Sequence, residues 1–378
     1  MHGPCTGCTG ALFSTPLRSA FAASNLPARA ALLAALLAAL TPRGACSHTS
    51  RFAMKAIVLD SFGPPENLIV RNIPALVPGP GQVLIALTSA GVNPVETYQR
   101  SGNYAKLPSL PWTPGKDGAG TVEAVGEGVT RVATGTRVWL AGSVTGTYAS
   151  HCLVAEADAV PLPAHVPLAA GAALGSSYLT AWRALAAAGC AAGKSVFVHG
   201  ASGGVGLAAV QLARFLGATP IIGTASTAAG RAAVVDAGAS LAVDHSADDV
   251  VRAVLDGTGQ AGADVVVEML MDKNAAADMA LVARGGTIAV VGNRGSADGV
   301  NFRALMQREA RIVGVMLAGA TAEEKAAAIA AITAGLERGV LTPKVNAAAA
   351  FPLEAAAAAH VEVIEHARGT AGKVTLAL

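Results

Sequence analysis

The stretch SVFVHGASGGVGLAAVQLARFLGA, residues 195–218, constrains this chain more than any other. A short apolar run predicts a strand, a glycine turn interrupts it, and an amphipathic helical pattern follows at once. Gly200, Gly203 and Gly206 form a GxxGxxG pattern, with Gly204 as an extra glycine. In a strand–turn–helix unit, such glycines let backbone amides approach a pyrophosphate at the helix N-terminus. Gly203 and Gly204 are placed for that approach, and Gly206 for close packing of helix on sheet. A bare glycine motif is weak evidence, so the surrounding pattern decides.

That pattern is an alternation of strands and helices beginning near residue 168. The apolar runs are SVFVHG (195–200), TPIIGTA (219–225), LAVDH (241–245), ADVVVEML (263–270), TIAVVGN (287–293) and RIVGVML (311–317). They are continuously apolar, as parallel strands covered on both faces must be. Six such runs with intervening helices predict an α/β fold with a Rossmann-type, doubly wound parallel sheet over residues 170–314. The glycine loop then belongs to a dinucleotide site. Residues 54–169 read differently. MKAIVL (54–59), QVLIALTSAG (82–91), GTVEAVG (120–126) and TRVWLAG (136–142) are short alternating segments, with Pro64, Pro65, Pro78, Pro80 and Pro114 between them. They predict a mostly antiparallel, barrel-like domain. Helices near 321–338 and 353–367 and the closing GKVTLAL are expected to return to it, so 315–378 is grouped with 54–169.

Composition supports two packed domains. Of 378 residues, 52% are hydrophobic and 14% charged, which leaves ample material for cores. Residues 1–53 hold four arginines (Arg18, Arg29, Arg43, Arg51) and no acid; without them the chain has 23 basic against 25 acidic residues. That balance gives no general attraction to nucleic acid or anionic membranes. Three of the five cysteines (Cys5, Cys8, Cys46) precede Met54, so the body carries no disulfide framework. Cys5 and Cys8 are too far from Cys46 and His48, with no hairpin signal between, to make a zinc site. Residues 1–53 match an organellar transit peptide, which implies a mitochondrial or plastid address if they are translated. MKAIVLDSFG at Met54 is the second reading, a natural start that leaves residues 1–53 untranslated, which implies a cytoplasmic protein. The run ARAALLAALLAAL is too short to span a bilayer.

The second strand ends GTASTAAGR, without the acid that holds the ribose hydroxyls of NAD. Ser226, Thr227 and Arg231 could instead donate to a 2′-phosphate, so the expected cofactor is NADPH.

Several segments together, GVNPVETYQRSG, LPWTPGKDGAG, VHGASGGVGLAAVQLAR, VEMLMDKN, VVGNRG and VGVML, resemble the zeta-crystallin type of quinone oxidoreductase, zinc-independent members of the medium-chain dehydrogenase/reductase superfamily. The resemblance runs from Met54 to Leu378. It implies a GroES-like catalytic domain beside the Rossmann domain, NADPH-dependent one-electron reduction of quinones, and a homo-oligomer, usually a tetramer, otherwise a dimer. Residue by residue it implies that Tyr98 meets the nicotinamide end and that Ser202, Gly203, Gly204 and Val205 cradle the pyrophosphate. His245 and Asn274 then line the adenosine and ribose side. Val291, Gly292, Asn293, Arg294, Val315, Met316 and Leu317 follow the nicotinamide ribose and ring. Ser226 replaces a glycine common in the family.

AGVNPVETYQRSGNY, residues 90–104, lies where many dehydrogenases of this layout carry a zinc-binding cysteine, yet it has neither cysteine nor histidine. A quinone is already electron-poor and needs no Lewis acid, whereas an alcohol must become an alkoxide. No metal is therefore expected. Asn93, Tyr98 and Tyr104 are the expected catalytic residues, neutral donors for developing oxygen charge. Glu96 is expected at the surface or in a structural hydrogen bond, and His199 is read as structural. Two other readings use the same residues. In one, an enone, alkenal or enoyl thioester is reduced and Tyr98 protonates carbon. The other is RNA binding or a bulk structural role, against which the near-neutral body and the lack of a basic, aromatic-interleaved stripe both count.

Overall fold

The computed structural model describes residues 53–296 and 300–378. The chain divides into two units, Met1–Arg51 and Phe52–Leu378; the leader and localisation expectations fall outside the described residues. Among the described residues no helix is long and apolar enough to cross a membrane.

The first part of the second unit opens with an antiparallel hairpin, β1 (Ala53–Val58) and β2 (Ile69–Pro74). Then follow β3 (Gln82–Gly91), β4 (Asp117–Val125), β5 (Arg137–Leu140), β6 (His151–Ala155) and β7 (Ala159–Pro161). The long strand β3 organises them. One of its edges pairs antiparallel with β4 along nearly its whole length. Its other edge is shared, taking β6 at Gln82–Ala86 and the last strand of the chain, β15 (Lys373–Ala377), at Ser89–Gly91. β14 (Val345–Pro352) adds parallel to β15, so the closing segment does return to the first sheet. Val83, Ile85, Val122, Val138, Leu140 and Val154 fill the interior of this sheet.

The middle of the chain supplies β8 (Val196–Val198), β9 (Ile221–Thr224), β10 (Leu241–Val243), β11 (Ala263–Glu268), β12 (Val282–Val290) and β13 (Arg311–Gly314). They form one parallel sheet in the order β10-β9-β8-β11-β12-β13. This is the dinucleotide-binding order 3-2-1-4-5-6, with its reversal beside β8. Helices Gly175–Ala187 and Gly204–Phe215 cover one face, burying Leu185, Leu207 and Leu212 against Val196 and Val198. Helix Ala322–Glu337 starts at a capping box, Thr321 with Glu324, and buries Ile332 and Leu336 in that same core. Phe197, Ile222, Val254 and Ile288 make the core of the opposite face.

Candidate functional site

The glycine loop lies at the carboxyl end of β8, where the strand order reverses. Gly200 takes φ +55°, a left-handed conformation that costs glycine little. A Cβ on Gly206 would stand 2.4 Å from the Gly200 carbonyl oxygen, so helix and turn approach too closely for any side chain. Gly203 caps helix Gly204–Phe215, and its carbonyl accepts from Leu207 N. The Gly203–Gly372 bridge turns the Gly204 amide toward the Gly372 carbonyl, and the amides of Val205 and Gly206 have no acceptor among the described residues. Two unpaired donors at a helix N-terminus suit an anion such as a pyrophosphate. Ser202 is buried, with Oγ 2.9 Å from Thr370 Oγ1, and its carbonyl accepts from Gly372 N at 3.0 Å. The loop is thus docked on the segment that leads into β15.

β9 ends at Thr224, and the exposed Ser226 and Thr227 follow. Thr227 caps helix Ala228–Asp236 by accepting from Gly230 N at 3.0 Å, so its hydroxyl is engaged locally. Arg231 reaches back over the strand end. Its Nη1 donates to Asp244 Oδ2 at 2.6 Å and to the carbonyls of Ala225 and Ser226. Nη2 and Nε keep no acceptor among the described residues. Sequence reasoning missed Asp244, which brings a carboxylate to this corner from the neighbouring strand rather than from β9. His245 lies two residues beyond β10, exposed in a turn, rather than at the strand's end.

Asn274, on helix Met271–Leu281, donates to Glu268 Oε1 at 3.0 Å. The Glu268 carbonyl accepts from Val291 N at 2.8 Å, which places Val291 and Gly292 beside Asn274 at the carboxyl ends of β11 and β12. Asn293 and Arg294 are exposed, and Arg294 N donates to Asp272 Oδ1. Beyond β13, Val315 is buried, Leu317 half-buried and Met316 60% exposed. Beneath this rim is a buried cluster. His199 Nε2 lies 2.7 Å from Asp278 Oδ1 and 3.2 Å from Glu268 Oε2. One N–H serves one acceptor at full strength, so Asp278 takes it, and Glu268 Oε2 and Asp278 Oδ2 have no partner. Burial pushes both carboxyls up to about 7 and holds His199 below its ordinary range. His199 thus lies inside the packing under the loop.

The turn at Asn93 holds a second polar cluster. Asn93 caps helix Pro94–Ser101, and its backbone N donates to Glu96 Oε2 at 2.7 Å. Its Nδ2 donates to Glu96 Oε1 at 3.2 Å and to Asp117 Oδ2 at 3.0 Å. Lys373 Nζ donates to its Oδ1. Both amide hydrogens and the amide oxygen are therefore committed, and the expected role of Asn93 as donor to an acceptor needs correcting. The side chain spends its hydrogen bonds on the turn. Glu96 is fully buried, not at the surface, and makes the structural hydrogen bonds that were the other half of its expectation. It also accepts from Tyr148 Oη at 2.9 Å and Lys116 N at 3.2 Å. Burial, then repulsion from Asp117, lifts Glu96 to about 7. Asp117 would also be raised by burial, but the Lys373 ammonium and the donors of Ser176 and Asn93 outweigh it and hold it low. Those Ser176 donors, N at 2.7 Å and Oγ at 2.6 Å, lie in the first turn of helix Gly175–Ala187, where the helix dipole favours an anion. Asp117 and Lys373, the centre of this cluster, were not singled out from sequence.

Tyr98 lies on helix Pro94–Ser101 and Tyr104 just beyond it, both half-buried. Neither hydroxyl has a partner among the described residues. A cleft of about 310 Å³ opens nearby between Trp112, Gln99, Lys116, Val144 and Thr145, with Glu96 beneath it. Its lining includes neither tyrosine and none of the expected cofactor residues.

Two family models match the chain: alcohol dehydrogenase GroES-like domain over residues 79–164, and zinc-binding dehydrogenase over 204–334. The quinone oxidoreductase of Lama guanicoe is 43% identical over 332 residues, 87% of this chain and 99% of that protein. A crystal structure of Escherichia coli quinone oxidoreductase complexed with NADPH superposes with a TM-score of 0.76 at 30% identity, covering 86% of this chain and all of that one. A crystal structure of an NAD-dependent alcohol dehydrogenase gives 0.79 at 30% identity with the same coverage of this chain and all of its own. The fold agrees with these relatives, and the chain belongs to the quinone oxidoreductase family, zeta-crystallin type, of the medium-chain dehydrogenase/reductase superfamily.

Proposed function

We propose that this oxidoreductase transfers electrons from NADPH to quinones without a metal ion. The unpaired amides of Val205 and Gly206, at the carboxyl end of the first strand of a 3-2-1-4-5-6 sheet, carry this reading. They fit the pyrophosphate; Asn274, Val291 and Gly292 fit a ribose and ring laid along the strand ends; the free nitrogens of Arg231 fit a 2′-phosphate. The relative bound to NADPH supports that choice of cofactor. Bound there, the dihydronicotinamide supplies the electrons. The protein's part is to seat the acceptor, exclude water and offer the Tyr98 and Tyr104 hydroxyls to oxygen as its charge grows. A metal at the Asn93 turn would have to displace the Lys373 ammonium from Asn93 and Asp117, so like-charge repulsion supports metal independence. The expectation of one-electron transfer rests on the resemblance to zeta-crystallin. Residues 54–169 with 315–378 form the catalytic domain in this reading, 170–314 the NADPH domain, and the working form is a homo-oligomer.

A panel of ortho- and para-quinones, alkenals and enoyl thioesters with NADPH tests the assignment. Quinones should turn over fastest, in protein whose elemental analysis shows no stoichiometric zinc. Faster turnover of enoyl thioesters, or one zinc per chain with activity lost on chelation, would overturn it.

A further inference from the structure

Among the described residues Lys373 is the only buried lysine. Its three N–H donors meet three acceptors: Asn93 Oδ1, Asp117 Oδ2 at 2.9 Å and Ser177 Oγ at 3.1 Å. The stem threads a passage between two glycines. A Cβ on Gly91, the last residue of β3, would stand 2.9 Å from Lys373 Cε, and one on Gly204 would stand 3.2 Å from Cδ. The backbone just before it is tied to the phosphate loop, since Gly372 N donates to Ser202 O at 3.0 Å. One residue thus touches the start of the pyrophosphate helix with its stem and the turn that launches helix Pro94–Ser101 with its head.

We propose that Lys373 is a positioning residue, which holds the Asn93 turn, and so Tyr98 on the following helix, in register with the dinucleotide loop. The proposal rests on the reductase reading of the site. With the ammonium facing Oδ1, the Asn93 amide has one orientation, its nitrogen toward Glu96 and Asp117. Without it, the oxygen faces no donor and two buried carboxylates have no cation between them, so the turn loses its fixed geometry. All three donors are spent inside the protein, which leaves none for a phosphate.

The full chain would be compared with Lys373→Met and with the double variant Lys373→Met/Asp117→Asn. The double variant removes both charges at similar volume and stands in if the single variant does not fold. Urea stability should fall in the single variant and largely recover in the double. The single-turnover rate of NADPH oxidation by an ortho-quinone should fall at least about tenfold in both. The dissociation constant for NADPH, read by fluorescence, should stay within about threefold of wild type in both. Amide hydrogen exchange over residues 94–101, measured without cofactor, should quicken by about tenfold or more in both. Recovery of the rate together with stability in the double variant would reduce Lys373 to a charge balance and overturn the proposal. So would a more than tenfold loss of NADPH affinity, the sign of a phosphate ligand, or unchanged exchange over that helix. A wild-type protein inactive on every quinone would overturn the reductase reading instead, and the exchange measurement would still judge Lys373.

Discussion

Arg231 is only partly committed to partners inside the protein. Its Nη1 is held by Asp244 at 2.6 Å, while Nη2 and Nε have no acceptor among the described residues and, in the proposed function, meet a 2′-phosphate. A charge-assisted hydrogen bond contributes about 1.5–3 kcal/mol, enough for roughly tenfold or more in affinity. Arg231→Ala should therefore raise KM for NADPH about tenfold and leave KM for NADH nearly unchanged. Asp244→Asn removes a carboxylate that would face the phosphate, and should lower KM for NADPH a few-fold. Steady-state kinetics with both cofactors checks this pair; equal KM values for NADPH and NADH in the wild type would contradict it. The Arg231 position was legible because the motif fixed the end of the second strand. Its partner was not, since Asp244 sits beyond a different strand. The same limit hid the core of the Asn93 turn. Asn93 was visible in its motif, but its partners Asp117 and Lys373 lie 24 and 280 positions away; β4 brings the first by pairing with β3, and the closing of β15 onto β3 brings the second.

At the level of elements, legibility followed hydrophobic pattern. The central strands of the parallel sheet, β8, β9 and β11, stood out because burial on two faces writes a continuous apolar run. The edge strands β10 and β13 are partly exposed, and β3 is buried on both faces at Val83–Ile85 and Ser89–Gly91. β14, VNAAAAFP, did not, since four alanines in a row favour no strand pattern and its pairing depends on β15. β6 and β7 are short, β7 with only three residues, and the residues of β2 are largely exposed, which leaves little apolar pattern. β12 begins at Val282, earlier than the apolar run suggests, because Ala263 pairs with Val282 before the register shifts. The glycine loop is the element where pattern and packing agree most closely. Gly206→Ala would put a Cβ 2.4 Å from the Gly200 oxygen and 2.5 Å from Ala201 Cα, both backbone. Such overpacking should cost about 1–3 kcal/mol in urea denaturation and weaken NADPH binding, since the helix start must shift. Wild-type values for both measurements would show the contact can relax and contradict the assignment.

Across the described residues, buried titratable groups set the pH dependence of stability. Asp278 is raised by burial from 3.8 to about 7. Between about pH 4 and 7 the folded chain keeps a proton that the unfolded chain has lost. This contribution is complete below the unfolded value and disappears as pH rises through 7. Glu96 and Glu268 act in the same direction. His360 opposes them: burial lowers it to about 3, so acid protonates it in the unfolded chain first. The urea midpoint of Asp278→Asn should vary less between pH 5 and 8 than that of the wild type, whose excess falls toward pH 8. Equal slopes would contradict the buried-acid account.

The central claim is that the acceptor is a quinone and that Tyr98 stabilises charge on its oxygen rather than protonating carbon. The Tyr98 hydroxyl has no partner among the described residues and is free for either task. The most direct measurement is kcat for Tyr98→Phe with NADPH on a quinone and on an enoyl thioester. On the quinone, loss of one neutral hydrogen bond, about 0.5–1.5 kcal/mol, should lower kcat by no more than about tenfold. General-acid catalysis on carbon would make the same change cost about a hundredfold or more. A loss of that size on the enoyl thioester, with wild-type turnover there far above that on quinones, would contradict the account.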